Sequence, residues 1–352
     1  MKLRIYFRPR LAVLLLGGAA GLSWSAVLAP GWPLGAIALP FALHYSMLAS
    51  LSAWALWRIH ALERWCGWDR AERLLILAPH EDDCVISAGG IGIRNHGLGG
   101  ATRIVYLAPD ETPGLPAIRA AEARAAWQEA GLDGTELRHL DLLPPLHQRD
   151  PQRLRVAATT LRSIVDDFKP TVIVMPMFEG GHIHHDMTAA LVGSIVTAQD
   201  SFEIYEAPEY SPHVSLVDTP HRIIVLATRW LFGLVAYYGP PDGVDGRPIL
   251  KFRLDRSELA TKRRMLSAFA SQNAPSLAAT RAYPDRLVRW DPATRRRYPF
   301  RPGAYERLAT MAHRILPAAI ATRLLPIQDG PIGRDGRLTD WHEEWGKDAV
   351  DR

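Results

Sequence analysis

The chain reads as an α/β protein built round a mainly parallel sheet, and three observations predict it. Short continuous apolar runs at residues 74–78 (LLILA), 103–108 (RIVYLA) and 171–176 (TVIVMP) have the composition of strands covered on both faces. Stretches of helical length, at 116–130 and 151–168, separate the second run from the third. The alternation of strand and helix is that of βαβ units, which place their strands in parallel.

Each element has its own signal. An Arg- and Trp-rich connector, 58–73, leads into the first strand, which opens directly into PHEDD and a helix. The segment PAIRAAEARAAWQEA begins at Pro116 and stops at Gly131, residues suited to the first and the terminating position of a helix. Residues 136–142 (ELRHLDL) read as a further strand, and 208–248 as an irregular Pro- and Gly-rich region. A strand at 249–254 and a helix at 255–270 follow. Residues 306–325 have the pattern of an amphipathic helix, suited to lie on the sheet or on a membrane. There is no internal repeat and no low-complexity tract.

The N-terminal region is different in kind. Residues 11–57 contain no Lys, Arg, Asp or Glu. One membrane span needs about 20 apolar residues, so two are expected, 11–28 and 34–57, turning at APGWP. Lys2, Arg4, Arg8 and Arg10 precede the pair, and Arg58, Arg64, Arg70 and Arg73 follow it. Basic flanks stay on the cytoplasmic side, which predicts a multi-pass inner-membrane hairpin with the rest of the chain in the cytoplasm. The competing reading is a secretory signal peptide in the first stretch, leaving the second as an anchor of opposite sense. The expected organisation is a two-span anchor at 1–60, a catalytic domain at 61–275 and an Arg/Pro-rich extension at 276–352 packed on the domain or the membrane surface.

Two cysteines, Cys66 and Cys84, make no disulfide framework and fit a reducing compartment. The net charge of +4 is modest, and its densest runs, KRRM at 262–265 and TRRRYPFR at 294–301, read as solvated faces or as contacts to anionic headgroups. No nucleic-acid-binding module surrounds them, so no nucleic-acid partner is expected.

Ligands of open parallel sheets sit beyond the carboxyl ends of the strands. Two such ends carry chemistry: PHEDD at 79–83, and MFEGGHIHHDM at 177–187. Carboxylates gathered beside a buried strand must be solvated, paired or placed round a metal. His and Asp donors suit zinc, and iron or another divalent ion accepts the same set. The bland alternative makes His80 a capping residue, Asp82 and Asp83 favourable charges at a helix N-terminus, and His182 and His184 surface loop residues. Gly89 and Gly90 read as close helix-to-sheet packing, because no Lys or Ser/Thr follows in P-loop spacing. Asp110, at the end of the second strand, is placed for the cleft. Arg119 either reaches a substrate anion or pairs with Glu122.

PHEDD resembles the HPDD signature of the PIG-L/LmbE-like metal-dependent N-deacetylases, and EGGHIHHD resembles that family's Gly-His-Pro-Asp-His signature. RAAEARAAWQEAGL (119–132) and KRRMLSAFASQ (262–272) are similar to its Arg-x-x-Glu helix and its late Lys…Ser-Gln segment. The resemblance spans 74–272. It implies a Rossmann-like sheet with helices on both faces, and a Zn2+ (or Fe2+) site made by His80, Asp83 and His185. It implies Asp82 as the general base toward the attacking water, and His182 as the acid/base group that protonates the departing amine. Three positions depart from the pattern. Glu81 replaces Pro in the first motif, which bears on loop stiffness. Cys84 replaces a frequent Glu and stands close enough in sequence to approach the metal. His184 replaces an Asp, leaving Asp186 or Asp110 to support His182.

The expected activity is metal-dependent removal of an N-acetyl group from an N-acetylglucosamine-type sugar, either a small molecule or a glycolipid. The alternatives are another amide or ester hydrolase, or a membrane-anchored binding protein with a degenerate site. Oligomeric state is not legible.

Overall fold

The computed structural model describes residues 61–108, 113–133, 136–143, 151–178, 183–197, 199–209, 247–290 and 311–324, together with Gly21, Trp24 and Leu39. The predicted hairpin at 11–57 otherwise lies outside the described residues, among which no helix is long and apolar enough to cross a membrane.

Among the described residues eight strands form one sheet: β1 (Glu63–Cys66), β2 (Arg73–Ala78), β3 (Ala101–Tyr106), β4 (Leu137–His139), β5 (Val172–Pro176), β6 (Glu203–Ala207), β7 (Ile249–Phe252) and β8 (Arg286–Arg289). Their order across the sheet is β1-β7-β8-β6-β5-β2-β3-β4. All pairings are parallel except those of β8, which runs antiparallel to both β6 and β7. The helices are α1 (Asp83–Gly97), α2 (Leu115–Gln128), α3 (Pro151–Phe168), α4 (Ile183–Ile195), α5 (Arg256–Ser267), α6 (Ala274–Thr280) and α7 (Ala318–Leu324).

The period-two alternation of β2 divides the core. Leu74 and Ile76 join Ile91, Trp127, Met265 and Phe269, from α1, α2, α5 and the turn after α5, on one face. Leu75 and Leu77 join Leu161, Ile173, Leu191 and Val192, from α3, β5 and α4, on the other. Fully burying each such side chain contributes about 1.5–3 kcal/mol. β2 is therefore apolar throughout because both sides of it are covered.

The helix ends follow from local chemistry. The turn that ends α2 closes at Gly131, three residues past Gln128, whose φ of 80° a Cβ would strain; Leu132 N–H bonds back to Trp127 O at 3.1 Å. Asp255 caps α5, accepting from Ser257 N (2.8 Å) and Glu258 N (2.9 Å), while Glu258 accepts from Asp255 N (2.7 Å). In the last turns of α1, buried Asn95 accepts from Trp68 Nε1 (3.2 Å) and Glu72 N (2.8 Å) and donates to Thr102 Oγ1 (3.0 Å). This ties the helix to the entrances of β2 and β3.

Several expectations are corrected. The connector at 58–73 contains an edge strand, β1, and β6 was not foreseen. β8 lies past residue 275 yet inserts between β6 and β7, so the sheet draws on the segment expected as an extension. Lys262 is not on a solvated face: it is fully buried and its Nζ donates to Ile86 O and Tyr283 O, both at 3.0 Å, and to the Asp285 carboxylate. Gly90 permits close approach of Leu254 and Asp285 rather than of the sheet.

Candidate metal centre

β2 and β5 are parallel neighbours, so the turns that leave them emerge on the same side of the sheet. His80 stands two residues beyond β2, and Asp83 opens α1 three residues later. The spacing lets Asp83 Oδ2 accept from His80 N (3.0 Å) and approach His80 Nδ1 (2.9 Å). From the other turn, in the first turn of α4, His185 places Nε2 3.2 Å from the same oxygen. The His80 and His185 ring centroids are 5.9 Å apart. Residues about a hundred positions apart in sequence thus meet.

One ligand atom from each of His80, Asp83 and His185 lies within 4.8 Å of the others. Two imidazole nitrogens and a carboxylate oxygen, with Asp83 and His185 buried and His80 partly so, suit a divalent ion such as zinc. Burial would raise the Asp83 carboxyl, but His185 and His80 beside it hold it well below the usual carboxylate range. It is therefore poised as an anionic ligand.

Asp82 takes the N-cap position of α1 without making a side-chain capping bond. Burial and the neighbouring Asp83 push its carboxyl upward, against the pull of His80 and Arg119. Arg119, on α2, is thereby placed near the site electrostatically. It does not share Glu122 in the way the sequence allowed: that carboxylate binds Ser271 N (2.7 Å) and Ser271 Oγ (2.6 Å), coupling the Arg-x-x-Glu helix to the Ser-Gln segment.

Cys84 points away from the cluster into the core. Its Sγ contacts Glu81 O (3.1 Å) and Tyr106 Oη (3.2 Å) and accepts from Trp127 Nε1 (3.3 Å). Burial raises this thiol to about 12, so the expected approach to the metal is corrected: Cys84 packs and does not ligate. Glu81, also buried, lies 3.7 Å from His139, whose ring stacks on Tyr106 at 4.5 Å. Its place is therefore against the end of β4, a contact beyond the loop stiffness expected of it.

His184 places Nδ1 3.2 Å from His80 Nε2 and is buried, not a surface loop residue. Asp186 is buried in the same first turn of α4. His182 and Asp110 lie outside the described residues.

One residue escaped the sequence reading. Glu209, two positions beyond β6, is 5 % exposed and sets Oε2 3.4 Å from His185 Nδ1. Burial first, then Asp83, raises its carboxyl well above the usual range, while His185 and Arg281 pull the other way. The available signal was the rule already applied to PHEDD and HIHHD, a polar side chain just past a strand end. It was hidden because β6 itself had not been recognised.

Fold and site together define an α/β domain with a His–Asp–His cluster at the carboxyl ends of its central strands. Residues 75–196 match the family model described as PIG-L, GlcNAc-PI de-N-acetylase. No curated protein matches the chain. Among solved structures, the zinc-inhibited form of teicoplanin deacetylase Orf2 is similar at 15% identity and a TM-score of 0.41, over 62% of this chain and 98% of that one. N,N'-diacetylchitobiose deacetylase from Pyrococcus horikoshii is similar at 16% identity and 0.34, over 63% and 85%. GalB, the 4-carboxy-2-hydroxymuconate hydratase from Pseudomonas putida, is similar at 13% identity and 0.39, over 63% and 97%.

Proposed function

We propose that the protein is a metal-dependent hydrolase that removes an N-acetyl group from an N-acetylglucosamine-type amino sugar carried on a lipid. The observation that carries this reading is the convergence of His80, Asp83 and His185 within 4.8 Å inside a segment that matches the PIG-L model. A zinc or iron ion held there would supply Lewis acidity toward an amide carbonyl and would acidify a water to a pKa of about 7. Asp82, beside the ligand Asp83 and uncommitted to helix capping, takes the proton of the attacking water. His182 protonates the amine as it leaves; its position in the second motif supports this role. Arg119 favours the anionic state of Asp82 by its charge.

The lipid-linked substrate and a location at the inner membrane, with the domain on the cytoplasmic side, rest on the uncharged stretch and its basic flanks. The burial of Cys84 in the core removes one motive for a degenerate, non-catalytic site.

The test is acetate release from a panel of soluble and lipid-linked N-acetyl sugars, with metal content measured in the same preparation. About one equivalent of metal and release from lipid-linked members are expected. Asp82→Ala should retain the metal and lose about 10²–10⁴-fold in rate, the usual worth of general acid–base catalysis. No release from any N-acetyl sugar by metal-loaded protein would overturn the reading. Equal release from soluble and lipid-linked forms would remove the lipid clause alone.

A further inference from the structure

We propose that Glu209 is a positioning residue that tunes metal affinity through His185, an inference that rests on the metal site of the proposed function. β6 follows β5 in register, with Pro176 opposite Ala207 and Met177 N bonded to Ala207 O at 2.9 Å. That pairing fixes the ends of the two strands side by side. The turn after β5 leads to His185, and the turn after β6 carries Glu209.

The His185 ring lies between two carboxylates. Its Nε2 is 3.2 Å from Asp83 Oδ2, on the side of the ligand cluster, and its Nδ1 is 3.4 Å from Glu209 Oε2, on the opposite side. An imidazole binds a cation through one nitrogen while the other carries its proton, and the partner of that N–H decides which is which. Glu209 accepts from Nδ1–H, leaves the Nε2 lone pair facing Asp83, and raises the basicity of the ligand nitrogen. His80 shows the same two-sided arrangement: Nδ1 faces Asp83 and Nε2 faces His184.

The experiment uses the full chain in mild detergent, stripped of metal and titrated with zinc against a chromogenic chelator. Glu209→Ala should weaken zinc binding about 10–100-fold, the usual effect of losing such an outer partner. Glu209→Gln, whose amide oxygen still accepts from Nδ1–H, should lose less but measurably. Thermal melting of the metal-free proteins checks folding, and if the alanine variant does not fold the glutamine variant decides. Zinc affinity within twofold of the parent in a folded variant overturns the proposal. Tight zinc binding weakened by the substitution, without acetate release from any substrate, leaves Glu209 its role and removes deacetylation. A parent that takes up no divalent ion removes both.

Discussion

Lys262→Met removes the cation that fastens α1, the helix that Asp83 opens. In the parent, Nζ donates to Ile86 O and Tyr283 O at 3.0 Å and to Asp285, while Asp285 Oδ2 accepts from Ile91 N at 2.6 Å. Both ionic side chains are fully buried. Methionine fills similar space but donates nothing, so two carbonyls lose a partner and one carboxylate loses its counter-charge. Breaking a buried pair from one side costs about 3–5 kcal/mol, a large fraction of a typical stability of about 5–15 kcal/mol. Burial already raises the Asp285 carboxyl, so its ionised form is disfavoured in the fold. With the folded pKa above the unfolded one, that cost is present at high pH and disappears as pH falls through the folded value. The deficit of Lys262→Met should therefore be larger near pH 8 than near pH 5. Urea unfolding followed by tryptophan fluorescence at the two pH values measures it. Lys262→Met/Asp285→Asn should recover a substantial part of the loss, because the amide oxygen still serves Ile91 N without burying a charge. A loss under about 1 kcal/mol, or strictly additive single variants, would refute the reasoning.

Other outcomes follow from the same structure. Gly92→Ala would bring a Cβ to 2.7 Å from the fully buried Trp127 ring. Overpacking costs of about 1–3 kcal/mol exceed the helix-propensity gain of about 1 kcal/mol, so a net loss in chemical denaturation is expected. Cys84→Ser should leave metal content unchanged and cost about 1 kcal/mol, since Tyr106 and Trp127 remain as partners. Native Cys84, raised to about 12, should resist thiol reagents until the chain unfolds. Asn95→Leu should cost roughly 2–5 kcal/mol by stranding Trp68 Nε1 and Glu72 N, read as a lower thermal midpoint with metal stoichiometry unchanged.

What could be read from the sequence was what period and composition express locally. β2, β3 and β5 announce themselves because both faces are covered, and every position can be apolar. The two motifs are legible because each needs its residues within a few positions of one another. β1 and β6 were hidden for the opposite reason. β1 is an edge strand with Arg64 and Trp65 exposed, and β6 carries glutamates that find partners elsewhere, Glu203 with Arg289 and Glu206 with Arg247. Lys262 looked like one more member of a basic run, since nothing nearby shows that Asp285 waits for it across the helix pair. Glu209 and the inward turn of Cys84 are likewise products of tertiary pairing. They depend on which strand end lies beside which, and on the room that Trp127 leaves.

The sheet order carries a mechanical implication. The chain enters the described domain through β1, at the outer margin, and among the described residues the backbone of β1 pairs only with β7. Five strand spacings of about 4.8 Å, roughly 24 Å, separate it from β2. A tug or tilt transmitted from the N-terminal segment would peel four residues from β7 first, while the turns that bear His80 and His185 stay seated on the interior strands. The His–Asp–His cluster is in this way insulated from disturbance at the β1 margin of the sheet.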